Sequence, residues 1–482
     1  MNRLARSLLS GCLTLGTLAI SLHAQAPAPA DPFVKDAAGA NAGQEGLWKQ
    51  CLIILEVYSM DKADAQSTLD TEHGSTARYR RVLDLNRAGK ARLETLAALT
   101  TKSGQRAIVE SNDEVRYPTE FNPPAIKNGI AAPTAWETRN AGDSLEVEPV
   151  ISPDGRVCDL NLVPQHVSLM GFKDVAGMAD DSLISQPTFN MQKITTSITT
   201  QESEITYLGT MTPPTVQGMA NGDAASEIWL AFIRVHLPSP TAEDMKPRPG
   251  EHSSNAALEY SCYSLDRAEA REILAGATTM SAPWEKVRAA LSAGRARLEH
   301  VSTVITKSGQ RAVTEEIQEV RFGSEYVTEG QRGSTESTKR TTTSKAADAE
   351  EGKEATTTEQ TTINRTDANS ERQPGYAAAF EARNAGVTVE VEPVVGPDGV
   401  TVDLNNVVQS VVNRGGLQST GIATRYPVQT LFESRKMTTS QSVIFGRTTL
   451  IGTLNPPGNS GVNGRTDTGR TWLLFVRADN ER

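Results

Sequence analysis

The chain repeats itself, and this internal duplication constrains the fold more than any other feature of its 482 residues. The segment Tyr58–Ala65 returns as Tyr263–Ala270, and Thr101–Ala107 returns unchanged as Thr306–Ala312, both 205 residues later. Past residue 330 the offset becomes 244 and then 243 residues. Later pairs are Arg139–Gly142 with Arg383–Gly386, Leu208–Thr210 with Ile451–Thr453, and Trp229–Arg234 with Trp472–Arg477. Because the landmarks keep one order, we conclude that one module is written twice.

The repeat predicts a first module at 47–237 and a second at 254–478, joined by a proline-rich linker at 238–253. The change of offset requires one net insertion of about 39 residues in the second module. We place it at 329–373, a stretch rich in Thr, Ser, Glu, Lys and Ala with almost no large apolar side chains. Such a composition cannot bury enough apolar surface to fold, which predicts a disordered insertion at a surface tip.

Residues 1–26 have the pattern of a secretory signal peptide. Arg3 and Arg6 precede a mostly apolar stretch that lacks acids, and small residues at Ala24 and Ala26 suit cleavage. Residues 27–46 are then expected to be a flexible N-terminal segment. A less favoured alternative is a lipoprotein anchored through Cys12, since the apolar run before that cysteine is short. We therefore expect an exported protein of the periplasm or outer membrane.

The net charge excludes one class of partner. It is −10 for the whole chain, with a pI near 5.3, and the loss of Arg3 and Arg6 with the signal peptide makes it −12. A basic surface for phosphate groups is absent, so no nucleic-acid partner is expected. Beyond the signal peptide no apolar run approaches the roughly 18 residues of a membrane helix. The mature chain is therefore expected to have no transmembrane helix.

Local patterns predict an α+β fold that is mostly antiparallel β, with two short helices near the start of each module. The predicted helices are 61–71, 77–88, 266–275 and 284–293. Strands 92–101 and 106–109 are expected to form one hairpin around a Lys-Ser-Gly-Gln turn, with a counterpart in the second module. A second hairpin turns at Pro153–Gly155 and again at Pro397–Gly399. In both copies of this hairpin, apolar residues alternate with polar and acidic ones, which predicts one apolar and one acidic face.

No arrangement of chemical groups predicts an enzyme, a cofactor or a metal site. The histidines lie far apart in sequence, without metal-ligand spacing: His23, His73, His166, His236, His252 and His300. The acidic hairpin faces carry Glu146, Glu148 and Asp159 in one module and Glu390, Glu392 and Asp403 in the other. A catalytic carboxyl needs an apolar pocket, whereas alternation places these groups opposite the apolar face. Trp229 and Trp472 are interpreted as core or interface anchors.

Three cysteines remain after signal cleavage: Cys51, Cys158 and Cys262. They lack close spacing, and the odd number leaves at least one without a partner inside the chain. A buried free thiol is the simplest interpretation of each. A single bridge between Cys51 and Cys262 is the alternative, and the sequence leaves it open.

In this order, the motifs resemble the barrel domain of bacterial secretins, the outer-membrane channels of type II and III secretion and of type IV pili. The opening strand ends in Leu55-Glu56-Val57, a small-residue turn precedes Ala107 and Ala312, and the segments Gly142–Leu162 and Gly386–Leu404 match the family's Asp-Gly hairpin. The family's Thr-Ser, Gly-Gly and final apolar strands follow, with Thr210 and Thr453 in place of the second glycine.

The resemblance implies a non-enzymatic envelope protein. Its role would be structural, in the assembly of a secretion or pilus system, through strand pairing with itself or with envelope protein partners. Association with the outer membrane would follow. The alternative is a soluble periplasmic or surface binding module that keeps the fold but forms no pore.

Overall fold

The structure is a computed structural model. It describes residues 49–122, 132–176, 183–212, 226–240, 245–246, 255–279, 281–327, 335–343, 356–364, 376–416, 430–458 and 469–481. The predicted signal peptide, the segment 27–46 and most of the linker lie outside this range, so their boundaries, and those of the two modules, stay predictions. In the part of the chain that is described, no helix is both long enough and apolar enough to cross a membrane.

Helices and strands follow a similar order in the two predicted modules, with two helices in each and with nine described strands in the first and ten in the second. The first repeat, as we call it below, comprises β1 Gln50–Asp61, α1 Lys62–Thr71, α2 Ser75–Arg87, β2 Ala91–Lys102, β3 Ala107–Asn122, β4 Ala132–Ile151, β5 Val157–Ala176, β6 Leu183–Lys193, β7 Thr196–Gln201, β8 Ile205–Met211 and β9 Glu227–His236.

The second repeat comprises β10 Asn255–Asp266, α3 Arg267–Ala275, α4 Ala282–Ser292, β11 Arg297–Lys307, β12 Ala312–Val327, β13 Thr335–Thr343, β14 Thr356–Asn364, β15 Tyr376–Val395, β16 Thr401–Gly416, β17 Thr430–Ile444, β18 Thr448–Leu454 and β19 Arg470–Glu481. Strand makes up 68% of the structure and helix 14%, so the mostly antiparallel α+β class is confirmed.

Two antiparallel sheets contain 17 of the 19 described strands, four from each repeat in one sheet and five and four in the other. Sheet A has the order β11-β10-β19-β18-β2-β1-β9-β8. Sheet B has the order β12-β15-β16-β17-β3-β4-β5-β6, with β7 also pairing with β5. The sheets pack face to face over one apolar core that includes Leu55 and Leu258 from sheet A and Leu145 and Val391 from sheet B. Burial of such alternating apolar side chains is the main favourable contribution to this packing.

The helices cover the outer face of sheet A. α1 and α3 each begin after an aspartate, Asp61 or Asp266, whose carboxylate accepts hydrogen bonds from the first-turn amides. This N-cap satisfies backbone donors that have no partner within the helix. Apolar residues of α3 and α4, such as Ile273 and Val287, pack on Leu96 of β2, so helices of the second repeat cover a strand of the first.

One predicted hairpin is confirmed and the other is wrong. β4 pairs with β5, and β15 with β16, around the Asp-Gly turns. In contrast, β2 and β3 lie in different sheets, as do β11 and β12. The turn after Lys102 carries the chain from one layer to the other. Alternation of apolar side chains identifies a strand but does not say which strand lies beside it, which explains the error.

Part of the insertion 329–373 differs from the predicted disorder. β13 and β14 pair antiparallel in a separate two-stranded sheet, with Thr335 opposite Asn364. Both segments are rich in threonine, a β-branched residue that favours extended backbone, which accounts for the difference. The remaining residues of the insertion lie outside the described range.

Candidate self-association interface

Each sheet contains one junction at which a strand of the first repeat meets a strand of the second. In sheet A this junction joins β18 to β2, with Gly452 opposite Leu99. In sheet B it joins β17 to β3 over seven residue pairs, from Phe432 opposite Glu114 to Thr438 opposite Ile108. The two repeats are therefore held together by strand pairing across both layers.

The sheet A junction is close and depends on two neighbouring residues. A Cβ atom at Gly452 would lie 2.3 Å from the carbonyl oxygen of Ala98, so only glycine permits this approach of the two backbones. Next to it, the buried Thr453 hydroxyl accepts a hydrogen bond of 2.8 Å from the Ala98 amide. Thr100 also donates to the carbonyl of Leu450 at 2.9 Å.

The sheet B junction contains a buried charge cluster around Glu433. This carboxylate is fully buried and accepts hydrogen bonds from Arg414 at 3.0 Å, from Arg435 at 3.2 Å and from the backbone amide of Gly458 at 3.0 Å. Arg435 also donates to the carbonyl of Asn112 on β3 at 2.7 Å. Because each buried charge has partners, the cluster ties β17 to β3 without an uncompensated ion.

A third contact between the repeats involves a helix. Arg271 of α3 donates to the hydroxyl of Tyr79 on α2 at 3.3 Å, and Tyr79 donates to both carboxylate oxygens of Glu56 at 2.9 Å. Tyr58 donates to Glu56 at 2.5 Å. Burial raises the pKa of Glu56, while its hydrogen bond from Tyr58 and the nearby Arg271 charge oppose that shift.

The outer edges of the two sheets carry six of the nine large apolar side chains that are exposed among the described residues; the other three are Leu291 on α4 and Phe380 and Val394 on β15. Among the described residues, β11, β12, β6 and β8 each pair with a neighbour on one side alone: β10, β15, β5 and β9. Large apolar side chains are exposed on three of these strands: Leu298, Val301, Ile305, Val313, Ile317 and Met191. An edge strand with exposed apolar residues is a template for pairing with another chain.

The acidic hairpin faces hold structural ion pairs. Glu146 pairs with Arg106 at 2.6 Å, and Glu390 pairs with Arg311 at 2.5 Å, so the two repeats contain the same bridge. Asp403 pairs with Lys102 at 2.9 Å. The other predicted acids do not join them in one site: Glu148 is buried, whereas Asp159 and Glu392 are exposed. The apolar face opposite these acids lies in the core, as alternation predicts.

Sequence reasoning missed a polar cluster around His166. Its Nδ1 lies 2.7 Å from Asp143, directly across β4 and β5, and its Nε2 lies 2.8 Å from the hydroxyl of Ser168. Asp143 also accepts from Asn455, of the second repeat, at 2.8 Å and from Thr95 at 3.2 Å. These contacts orient residues at the contact between repeats. The strand register that brings them together has no local sequence signal.

The other histidines do not converge. His73 and His300 lie apart from His166 and His236, and His252 is outside the described range. No group of three or more His, Cys, Asp or Glu residues in the described part of the chain could hold a metal ion. Trp229 is buried in the core, and the partly buried Trp472 packs against the same core cluster. These positions confirm the interpretation of both residues as anchors.

All three cysteines are buried and free. The alternative bridge between Cys51 and Cys262 is wrong, because β1 and β10 are separated by three strands of sheet A, a distance of about 19 Å. Instead, the thiol of Cys51 donates to the carbonyl of Thr101 at 3.8 Å, and that of Cys158 donates to the carbonyl of Asp159 at 3.7 Å.

These thiols are expected to resist modification in the folded protein. Burial raises the pKa of Cys51 and of Cys262 well above the usual range, and the thiolate is the reactive form. The pKa of Cys158 is lowered by a hydrogen bond, but its side chain has no exposed surface that a reagent could reach. With a thiol-reactive disulfide reagent at pH 8, the mature folded chain should react at less than about a tenth of the denatured rate. In denaturant, three thiols should react. Rapid reaction of the native protein would contradict the burial of these residues.

His236 predicts a pH dependence of stability. Burial, with a smaller effect of the neighbouring Arg234 charge, lowers its pKa to about 4. In the unfolded chain the pKa is about 6.5, so between these values the unfolded state binds more protons. The free energy of unfolding should therefore fall as the pH drops from about 6.5 to 4, by about 2–3 kcal/mol from this residue.

Urea unfolding of the wild type and of His236→Gln at pH 7.5 and pH 4.5 measures this contribution. The variant should lose about 2–3 kcal/mol less than the wild type between these two pH values, because glutamine does not titrate. Equal losses for both proteins would mean that His236 does not carry the effect.

The comparisons with known proteins agree with the predicted resemblance. The family described as "Secretin: Bacterial type II and III secretion system protein" matches residues 84–217, from the end of α2 to beyond β8. The chain contains a secretin-like domain. The match lies in the first repeat, and the internal sequence repetition relates the second repeat to it. A search of curated proteins gave no match.

Solved secretins are similar to the secretin-like chain in part. The InvG secretin-domain β-barrel of the Salmonella SPI-1 injectisome is 14% identical over 42% of this chain and 65% of that one, with a TM-score of 0.21. GspD of enteropathogenic Escherichia coli is 12% identical over 40% of this chain and 68% of that one, with a TM-score of 0.19. The Klebsiella pneumoniae type II secretion outer-membrane complex of PulD, PulS and the PulC HR domain is 13% identical over 51% of this chain and 47% of that one, with a TM-score of 0.19. At these TM-scores the likenesses carry no argument about function.

Proposed function

We propose that this secretin-like chain is a non-enzymatic protein of the bacterial envelope, exported to the periplasm or outer membrane. Its role is structural, in the assembly of a protein-secretion or pilus system. It acts through β-strand pairing with copies of itself or with envelope protein partners. The secretin family match supports the system, since that family is described by type II and III secretion.

One observation carries the proposal of self-association. The same strand types that pair across the junctions inside the chain lie at the outer edges of both sheets, where apolar side chains are exposed. Leu96 of β2, at the internal junction, is 1% exposed, whereas Val301, at the corresponding position of the edge strand β11, is 49% exposed. Covering such side chains would contribute about 25 cal/mol for each Å² of apolar surface removed from water.

Envelope fractionation tests the location and the assembly together. The full chain is expressed in a Gram-negative host, membranes are extracted in mild detergent, and the product is sized and imaged by electron microscopy. We expect a membrane-associated particle of several chains, seen as rings or arcs. Quantitative release by osmotic shock as a monomer, with no conductance in lipid bilayers, would instead favour a binding module that keeps the fold without a pore.

A further inference from the structure

We infer that successive copies of this chain pair edge to edge in the register of the internal junctions. In sheet A, β11 of one copy pairs with β8 of the next, as β2 pairs with β18 inside the chain. In sheet B, β12 of one copy pairs with β6 of the next, as β3 pairs with β17 inside the chain. The inference rests on the proposed self-association. It specifies that the partner is a second copy of the chain, which strands pair, and in which register they pair. It follows from the fact that each junction strand has a repeat counterpart on an outer edge.

The register in sheet B follows from the repeat offsets. Inside the chain Lys436 of β17 lies opposite Glu110 of β3. Their counterparts, 243 residues earlier and 205 residues later, are Lys193 on β6 and Glu315 on β12. Both counterparts are exposed on the outer edges. The internal junction and the proposed contact therefore place a lysine opposite a glutamate, a favourable cross-strand pair.

The same register pairs apolar residues that are exposed in the single chain. Two residues from the charge pair, Met191 of β6 comes opposite Ile317 of β12, and these side chains are 52% and 39% exposed. On the other side of the charge pair, Thr195 comes opposite Val313, which is 47% exposed. Side chains two residues apart share one face of a strand, so the apolar pair flanks the charge pair on a single face.

In sheet A the argument comes from the open space beside Gly209, a residue whose φ of +142° already favours glycine inside the chain. A Cβ atom added at Gly209 of β8 would meet no described atom within 4 Å, whereas its counterpart Gly452 lies against the backbone of β2. In the proposed register Gly209 lies opposite Val304 of β11. The exposed Thr210 then takes the place of Thr453, whose hydroxyl accepts a hydrogen bond from the facing strand. The open side of Gly209 therefore leaves room for the backbone of the next copy to approach as closely as β2 approaches Gly452.

This contact joins different surfaces of the two copies, so it is heterologous. A heterologous contact that repeats gives a closed ring or an open filament. Each chain supplies two successive repeats of the ring or filament, because the internal junction and the contact between chains share one register. Contacts between the two repeats of one chain therefore alternate with contacts between neighbouring chains along the assembly.

Cysteine cross-linking in assembled particles tests the register. Met191→Cys with Ile317→Cys places one thiol on each outer edge of sheet B, seven strands and about 33 Å apart in a single chain. A bridge can therefore form only between copies. Copper-phenanthroline oxidation should give a ladder of dimers and larger species on non-reducing gels. Met191→Cys with Val313→Cys, four residues out of register, is the control and should give at least about fivefold less.

A charge exchange gives an independent readout. Lys193→Glu or Glu315→Lys alone should raise the concentration needed for assembly about tenfold, and the double variant should restore it. Both side chains are exposed, so monomer stability should not change. Assembled particles that give no ladder, or a stronger ladder from the control pair, would overturn the register and leave the proposed function standing. A chain that stays monomeric under all conditions would overturn both.

Discussion

Replacing Glu433 by alanine should lower the free energy of unfolding by about 3–5 kcal/mol, the largest loss expected from one substitution in the charge clusters. The carboxylate is fully buried at the junction between β17 and β3. Its removal leaves the Arg435 guanidinium, which is 4% exposed, with Asp113 at 3.5 Å as its nearest remaining acid. A buried charge that loses its main partner is strongly destabilising, because desolvation is no longer compensated.

Urea unfolding of the mature chain at pH 7 measures this loss. Asn190→Ala is the matched control, because Asn190 holds the same repeat position on the edge strand β6. The Asn190 side chain accepts one hydrogen bond, from Gln192 at 2.5 Å, so its loss should cost about 1 kcal/mol or less. A Glu433→Ala variant within about 1 kcal/mol of the wild type would show that the cluster does not hold the junction.

Replacing Gly452 by valine should cost at least about 3 kcal/mol by a steric mechanism. The new Cβ would lie 2.3 Å from the Ala98 carbonyl oxygen and 3.0 Å from the Leu99 Cα. These are backbone atoms of β2, so the clash is relieved only if β18 moves away from β2. Such a movement also breaks the hydrogen bond from the Ala98 amide to Thr453.

Gly209→Val is the matched control at the same repeat position. Its backbone φ of +142° makes valine strained, at a cost of about 1–2 kcal/mol, but no described atom would lie within 4 Å of the new Cβ. In urea unfolding of the monomer, Gly452→Val should therefore be the more damaging variant. Equal losses would contradict a steric requirement at the junction. Gly209→Val should also prevent assembly, since the proposed neighbouring strand occupies this space.

Features with a local signal could be predicted from the sequence. The helices α1 to α4 lie within two residues of the ranges that the local pattern predicts, and the hairpin of β4 and β5 follows from the Asp154–Gly155 turn. The repeat itself needed only comparison of the chain with itself. These signals lie within a few residues, or in the order of motifs, and do not depend on which distant strands come together.

Features that depend on register could not be predicted. Arg414 and Glu433 are 19 residues apart and meet only because β16 pairs with β17. The Lys-Ser-Gly-Gln turn looks like a hairpin turn, yet it connects the two sheets. Gly209 and Gly452 looked alike in sequence, and only the structure separates an open edge from a closed junction. Sequence periodicity fixes the face of a strand, whereas tertiary packing chooses its neighbour.

The mass of the native particle is the most direct test of self-association. The chain is expressed with its own N-terminus, extracted in mild detergent, and measured by light scattering coupled to size exclusion. We predict one main species of several times the 51.8 kDa chain mass, which dissociates in the Lys193→Glu variant and reforms in the Lys193→Glu/Glu315→Lys double variant. A freely soluble species with the mass of one chain, unchanged by either variant, would contradict the account.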